Sequence, residues 1–176
     1  SEIFTLNDLI GISPEMQELK IQIIQLAETN ANVLIYGETG TGKEMVAQSI
    51  HSFSNRKNNM FFSLNCAAIP ETLSESIFFG SKKGIYTDSV DRPGILEQAD
   101  GGTVFLDEIN SLEPSIQAKL LKALEDKKVR RLGSEKLIDT DIRIIAAMNE
   151  NPFSCLKSGK CKCQSQNACF LESQNV

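Results

Sequence analysis

Short apolar runs alternate with helical patterns along this chain, and this alternation is the feature that most limits the folds open to it. Four runs rich in β-branched, aromatic and other apolar residues lie at 33–36, 60–64, 103–106 and 142–147. Parallel strands buried on both faces show such continuous apolar runs, and their connections are usually helices. We therefore predict a three-layer α/β fold in which helices cover both faces of a parallel sheet.

Helical periodicity is clearest before the first run and after the third. Apolar residues recur at close to a 3.6-residue period over 14–28, where Ser13 is a plausible N-cap and Pro14 suits the first turn. Further helices are predicted over 43–53, from about residue 70, and over 114–126. The body of the chain, residues 1–153, is expected to be one domain.

Composition excludes several classes of protein. The 176 residues carry 18 Lys and Arg against 23 Asp and Glu, a formal charge of −5, which argues against nucleic-acid binding by bulk electrostatics. No apolar run approaches the ~18 residues of a membrane span, and residues 1–10 lack the pattern of a signal peptide. We expect a cytoplasmic domain with no membrane contact.

A glycine-rich segment joins the first apolar run to the helix predicted from residue 43. Its sequence, GETGTGK at 37–43, matches the phosphate-loop pattern G-x-x-x-x-G-K. Glycines let backbone N–H groups point at phosphate oxygens, and the helix N-terminus adds a favourable dipole. The alternative is a glycine-rich turn without a ligand. The candidate binding residues are Gly37, Glu38, Thr39, Gly40, Thr41, Gly42, Lys43 and Glu44, the last at a position where Ser or Thr usually contacts Mg²⁺.

Two carboxylates, Asp107 and Glu108, close the third apolar run. Ligands of parallel sheets lie beyond the carboxyl ends of the strands, so these groups would face phosphates held by the neighbouring loop. One carboxylate could serve Mg²⁺ while the other orients and deprotonates an attacking water. A solvated strand end is the alternative.

Three segments together resemble the central AAA+ ATPase domain of sigma-54-dependent transcriptional activators. They read GETGTGKE at 37–44, NCAAIPE at 65–71 and GGTVFLDEI at 101–109. The resemblance extends over about residues 9–153, and Glu44 fits it because that family carries Glu there. The segments VDRPG at 90–94 and EINS at 108–111 look most like the branch that regulates arginine and amino-acid catabolism.

The resemblance implies a role for each matched residue. Asp107 would serve Mg²⁺ and Glu108 would activate water in ATP hydrolysis. Asn65 would be a switch residue that hydrogen-bonds Glu108, and Asn149 would sense the γ-phosphate; a turn residue at a strand end is the alternative for either. Ile10 and Gly11 would line the adenine pocket.

An irregular insert at 84–89 interrupts the helical pattern. In the family it would be a loop that contacts the sigma factor, GAFTGA, and here its residues are Gly84, Ile85, Tyr86, Thr87, Asp88 and Ser89. The aromatic residue and the following Thr are kept. Asp88 makes positive φ values costlier than the family's glycine does, so the contact is expected to be weakened or retuned. A variable surface loop with no partner is the alternative.

Beyond residue 153 the periodicity stops. Cys155, Cys161, Cys163 and Cys169 crowd this tail, but their spacing lacks the C-x₂₋₄-C pairs of zinc sites. No arginine follows Arg143, whereas the family would place trans-acting arginine fingers and then a helical lid here. We expect 154–176 to be disordered, from a changed reading frame or an artefact, and hydrolysis by this chain to be weak or nearly absent.

The expected function is the ATP-binding core of an activator that couples hydrolysis to remodelling of sigma-54 RNA polymerase. The intact parent would form a hexamer-like ring and contact DNA through another domain. A generic AAA+ remodelling ATPase and a catalytically impaired interaction module are the alternatives. His51 is expected to be structural, and the basic run at 127–131 to be a solvated turn or to face the next subunit's nucleotide.

Overall fold

The structure is a computed structural model that describes residues 8–9, 11–84 and 91–159, and the backbone of residues 168–172. Side chains are described in the first three of these ranges, apart from that of Leu156. Six α-helices lie in the described part of the chain: α1 Pro14–Ala27, α2 Lys43–Phe53, α3 Glu71–Phe79, α4 Ile95–Gln98, α5 Pro114–Asp126 and α6 Pro152–Lys157. Nine strands accompany them: β1 Asn32–Tyr36, β2 Phe61–Asn65, β3 Gly80–Ser81, β4 Arg92–Pro93, β5 Thr103–Asp107, β6 Lys128–Arg130, β7 Leu137–Asp139, β8 Arg143–Met148 and β9 Ala168–Glu172.

A five-stranded parallel sheet in the order β2-β5-β8-β1-β9 forms the centre of the fold. One hydrophobic cluster packs α1 and α2 on one face, and the other cluster packs α3, α4 and α5 on the opposite face. Strand β8 is buried at every position because it lies in the middle of this sandwich. The predicted three-layer α/β fold is confirmed, and each of the four apolar runs forms a strand of the sheet.

Local signals explain why α1 begins where it does. The Ser13 side chain accepts a hydrogen bond from the Met16 backbone N–H at 3.2 Å, and Pro14 occupies the first turn. At the other end of the helix, the buried Arg143 guanidinium donates to the carbonyl oxygens of Leu26 and Ala31 at 2.6 and 3.1 Å. A side chain of β8 therefore fixes the connection between α1 and β1.

Sequence reasoning missed a short antiparallel hairpin of β6 and β7, in which Val129 pairs with Ile138. Lys127 caps the C-terminal end of helix α5, and its left-handed backbone, with φ 50°, turns the chain toward the hairpin. The basic run at 127–131 is thus mostly a strand rather than the expected solvated turn. Its three-residue strand is too short for an alternating pattern to be recognised.

The tail contains one further helix and one further strand. Helix α6 covers Pro152–Lys157, and β9 pairs with β1 in parallel register, with Cys169 opposite Val33. Cys155 is buried and disulfide-bonded. Residues 154–157 thus belong to a helix and residues 168–172 to a strand, while the expectation for the tail as a whole stays a prediction. The open edge of β1 offers backbone hydrogen bonds to a segment that extends beside it, as β9 does.

Within the described ranges, no helix combines the length and the apolar character needed to cross a membrane.

His51, the single histidine of the chain, is fully buried on α2 as a structural residue. Its Nδ1 lies 3.0 Å from the Thr103 hydroxyl, and its ring packs 5.1 Å from that of Phe61. Burial, and secondarily the positive charge of Arg143, lower the pKa of His51. The folded state therefore favours the neutral imidazole more than the unfolded state does.

This burial predicts a pH-dependent stability. The folded state binds fewer protons than the unfolded state, so the contribution of His51 is complete above the unfolded pKa of about 6.5 and is lost as pH falls below it. We expect the free energy of unfolding, measured in urea between pH 7.5 and 5.5, to fall with a slope of at most ~1.4 kcal/mol per pH unit. The variant His51→Gln should show no such slope, and an unchanged slope would contradict the assignment.

Candidate functional site

The predicted site residues converge at the carboxyl edge of the sheet. Asn65 is the last residue of β2, and it pairs in register with Asp107, the last residue of β5. Asn149 directly follows β8. The segment 37–43 follows β1, where the Gly37 N–H donates to the Met148 carbonyl at 3.2 Å. Because β8 lies between β1 and β5, the glycine-rich loop and the acidic pair are separated by one strand and share one edge.

The phosphate loop, residues 37–43, has the backbone that its glycines predict. Gly40 and Gly42 adopt positive φ values of 84° and 73°, which L side chains rarely take. A Cβ added to Gly40 would meet nothing within 4 Å, so the backbone conformation and not crowding requires glycine there. The Thr41 hydroxyl donates to the Glu38 carbonyl at 2.7 Å and closes the turn.

Lys43 combines burial with a position at the first turn of α2. Its Nζ donates to the carbonyl oxygens of Gly37 and Glu38 at 3.0 and 2.7 Å, and the residue is only 7% exposed. Gly42 at the N-cap has no side chain with which to cap the helix. The first N–H groups of α2 and the ammonium group of Lys43 therefore form a positive site suited to an anion.

The acidic pair is held by an unusual backbone. Glu108 has φ 53° and ψ 47°, a left-handed conformation that costs a non-glycine residue of order 1–3 kcal/mol. Its N–H donates to Asp107 Oδ1 at 3.0 Å, and its carbonyl accepts from Ser111 in the following 3₁₀ turn, Ile109–Ser111, at 2.8 Å. The turn away from β5 therefore starts at Glu108 itself.

The two asparagines have partners that sequence reasoning did not identify. Asn65 Oδ1 accepts from the Ala67 N–H at 2.9 Å and caps the 3₁₀ helix Cys66–Ala68. Asn149 Nδ2 lies 3.5 Å from the Thr39 hydroxyl, at the limit of a hydrogen bond, and so lies beside the phosphate loop. The predicted hydrogen bond from Asn65 to Glu108 is not among those that the structure describes, and the switch role stays a prediction.

Glu44 is tied to the edge of the sheet. Its Oε1 accepts from the Ser63 hydroxyl of β2 at 2.7 Å and from Gln48 at 3.4 Å. No sequence signal marks Ser63, because the contact joins residues nineteen positions apart. The carboxylate of Glu44 therefore links the start of α2 to the strand that ends in Asn65.

Some predicted residues lie outside the described residues: Ile10 of the adenine pocket and the loop residues Ile85, Tyr86, Thr87, Asp88 and Ser89. Gly11 and Gly84 are described, but no contact of theirs tests the predicted roles. The stem of the loop is described as well. Gly80 pairs with Pro93, and the Lys83 N–H donates to Asp91 Oδ1 at 2.8 Å.

Cys66, which directly follows Asn65, is buried close enough to the acidic pair to be affected by its charge. Burial, followed by the negative charges of Asp107 and Glu108, raises the pKa of the Cys66 thiol to about 12. The thiol is 1% exposed, so it acts as a small apolar side chain here and not as a nucleophile.

The chain is similar to known proteins in both sequence and structure. The family profile of the sigma-54 interaction domain matches residues 9–164. The transcriptional activator RocR of Bacillus subtilis is 52% identical over 156 residues, which cover 89% of this chain and 34% of RocR. The Nif-specific regulatory protein of Azospirillum lipoferum is 46% identical over 156 residues, covering 88% of this chain and 25% of that protein.

Among solved structures, a crystal structure of NtrX from Brucella abortus in complex with ATP superposes with a TM-score of 0.85 at 31% identity. The superposition covers 94% of this chain and 36% of NtrX. The chain thus spans about a quarter to a third of the length of these relatives.

The environment of Cys66 predicts slow alkylation. Because the raised pKa leaves little thiolate at pH 8.5, we expect iodoacetamide to label Cys66 on the order of 10²–10³-fold more slowly in the folded protein than in urea. Peptide-resolved mass spectrometry separates Cys66 from the cysteines of the tail. Equal labelling rates in the folded and the unfolded protein would contradict the burial of this thiol beside the acidic pair.

Proposed function

Because the chain belongs to the sigma-54 interaction domain family, we propose that it binds ATP at the phosphate loop and acts on sigma-54 RNA polymerase. The convergence of the phosphate loop and the acidic pair on one edge of the sheet carries this proposal. At that edge, the positive site formed by Lys43 and the N-terminus of α2 lies on one side of β8, and the two carboxylates lie on the other side. The ATP complex of the related NtrX supports the same ligand for this chain.

The phosphate loop would hold the triphosphate. Backbone N–H groups around Gly40 and Gly42, together with the N-terminus of α2, would face the phosphate oxygens. Lys43 would exchange its two carbonyl partners for the β- and γ-phosphates. The phosphate oxygens carry negative charge and so form an ion pair with the ammonium group, which a neutral carbonyl oxygen cannot do. Gly11 and Ile10 are proposed to line the adenine pocket.

The donor set also fits Mg²⁺. Among the described residues there is no cluster of three or more groups that could hold a metal by themselves. Mg²⁺ is usually bound by one or two carboxylates together with phosphate oxygens and water, and Asp107 at the end of β5 offers one such carboxylate. The bound ion would neutralise charge on the phosphates. Glu44 is turned to Ser63, so we assign it to the positioning of α2.

Glu108 is proposed to orient and deprotonate the attacking water. Its left-handed backbone starts a turn beyond the edge of the sheet, where the γ-phosphate would lie. Asn149, beside Thr39, is proposed to sense the γ-phosphate, and Asn65 to report the nucleotide state through the 3₁₀ turn that it caps.

The insert at 84–89 is proposed to contact the sigma factor. Its stem supports this because both ends are fixed: Gly94 packs so closely on α3 that an added Cβ would lie 2.3 Å from the Phe78 carbonyl oxygen. The pairing of Ser81 with Arg92 then brings together the two segments of the chain that lead into and out of the insert.

The remaining expectations are also proposals. The intact protein would form a hexamer-like ring, act in the cytoplasm and reach DNA through a domain other than this one. The likeness to RocR and the segments at 90–94 and 108–111 support the branch that regulates arginine and amino-acid catabolism.

Nucleotide binding is tested by thermal unfolding of the chain with and without Mg·ATP. Ligand at 100 times its dissociation constant stabilises by about 2.7 kcal/mol, a shift of about 5–10 °C at this size. We expect this shift in the wild type and its loss in Lys43→Ala. The matched variant Glu108→Gln should keep the shift, because it removes the proposed base and not the phosphate cradle.

Absence of a shift in the wild type would contradict the proposed site, as would an equal shift in Lys43→Ala. The comparison uses the difference made by nucleotide within each variant, so any general loss of stability in Lys43→Ala does not affect it.

Contact with the sigma factor is tested by capture of purified sigma-54 on the immobilised chain in the presence of ATP. We expect Tyr86→Ala to lose at least about tenfold in captured protein, because aromatic residues dominate such contacts. Lys83→Ala, on the stem, is the matched control and should capture as the wild type does. Equal capture by Tyr86→Ala and the wild type would assign the contact to another surface.

A further inference from the structure

A second concave surface lies away from the phosphate loop, between α3, α5 and the β6–β7 hairpin. It encloses about 530 Å³ and is lined by residues 75, 79, 119, 122, 123, 126, 128–134 and 137. We call it the basic groove. No residue of the phosphate loop or of the acidic pair lines it, so it is a separate site.

The groove is positive in a chain that is negative as a whole. Five of its lining side chains are Lys or Arg and two are Asp or Glu, a difference of +3 against −5 for the chain. Lys119 pairs with Glu75, and Arg131 with Glu97. Lys122 and Arg130 are exposed and have no carboxylate within ion-pair distance among the described side chains. These two cations are available to an anionic partner.

The floor of the groove is apolar. Phe79, Ala123 and Val129 are buried beneath it, and Leu137 stands on the hairpin side with 56% of its surface exposed. An inorganic anion or a nucleic-acid backbone would use the cations but would leave these apolar groups unused. A peptide with both carboxylate and aliphatic side chains matches both parts of the groove.

The walls of the groove are held in place by two sets of contacts. The Arg131 guanidinium makes two hydrogen bonds to Glu97, at 2.6 and 2.8 Å. Leu132 exchanges backbone hydrogen bonds with the β3 region: its N–H donates to Gly80 at 3.0 Å, and its carbonyl accepts from Lys82 at 3.0 Å. A preformed groove binds without the cost of ordering its own walls.

From this combination of charge, apolar floor and fixed walls, we propose that the basic groove binds an acidic, aliphatic peptide segment of a partner protein. Carboxylates of the peptide pair with Lys122 and Arg130, and its aliphatic side chains cover Leu137 and the floor. The proposal is independent of nucleotide binding, because it uses none of the residues of the phosphate loop.

The test is binding of a fluorescein-labelled synthetic peptide of alternating Glu and Leu to the full chain, followed by fluorescence anisotropy at low salt. The control peptide has Gln in place of every Glu. We expect the Glu peptide to bind and the Gln peptide to bind at least about tenfold more weakly, because the groove selects negative charge.

Three variant proteins, one of them a control, locate the binding. The double variant Lys122→Glu and Arg130→Glu should bind the Glu peptide at least about tenfold more weakly than the wild type. The control double variant Lys20→Glu and Lys57→Glu makes the same change in charge elsewhere and should lower the affinity less than about twofold. Leu137→Asn, at an exposed position, should lower the affinity for the Glu peptide about threefold without affecting folding. The nucleotide-dependent thermal shift should persist in all three, which separates this proposal from the function proposed above.

Equal loss of affinity in the two charge-reversed proteins would overturn the proposal, since the peptide would then respond only to net charge. Sedimentation velocity adds a further criterion. If the groove variant changes the mass of the chain in solution while neither peptide binds, the groove is covered by a second copy and the acidic-partner assignment is wrong.

Discussion

The central constraint of this structure is the parallel alignment of β1, β8 and β5. Since all three strands run in the same direction, the loops that leave them meet at one edge, whatever their distance in sequence. The phosphate loop and the acidic pair lie seventy positions apart and yet are separated by a single strand. Burial of β8 on both faces sets this spacing, because its neighbours cannot shift without exposing apolar side chains.

Much of this arrangement can be predicted from the sequence, because the signals are local. The phosphate loop needs glycine where φ is positive, and Gly40 and Gly42 show such values. The apolar run that ends in Asp107 and Glu108 identifies both a strand and its carboxyl edge. Residues such as Ser63, by contrast, acquire a role only through a contact with another element, and nothing in the surrounding pattern marks them.

Three further features could not be predicted from the sequence pattern, each for a different reason. The β6–β7 hairpin has strands of three residues, too few for a period to emerge. Strand β9 lies in a tail whose composition suggests no structure, but backbone pairing along β1 depends little on side chains. The partner of Asn65 is the nearby Ala67 N–H, a local cap that a role assigned by resemblance does not predict.

The left-handed backbone at Glu108 sets the catalytic role proposed for this residue against thermal stability at a single position. Glycine would relieve the steric penalty there, and no contact described for the Glu108 side chain would be lost with it. A laboratory selection of this domain for thermostability alone would then tend to discard the carboxylate, and the selected proteins would be more stable but would lack the proposed catalytic base. Selection schemes for the domain should screen both properties together.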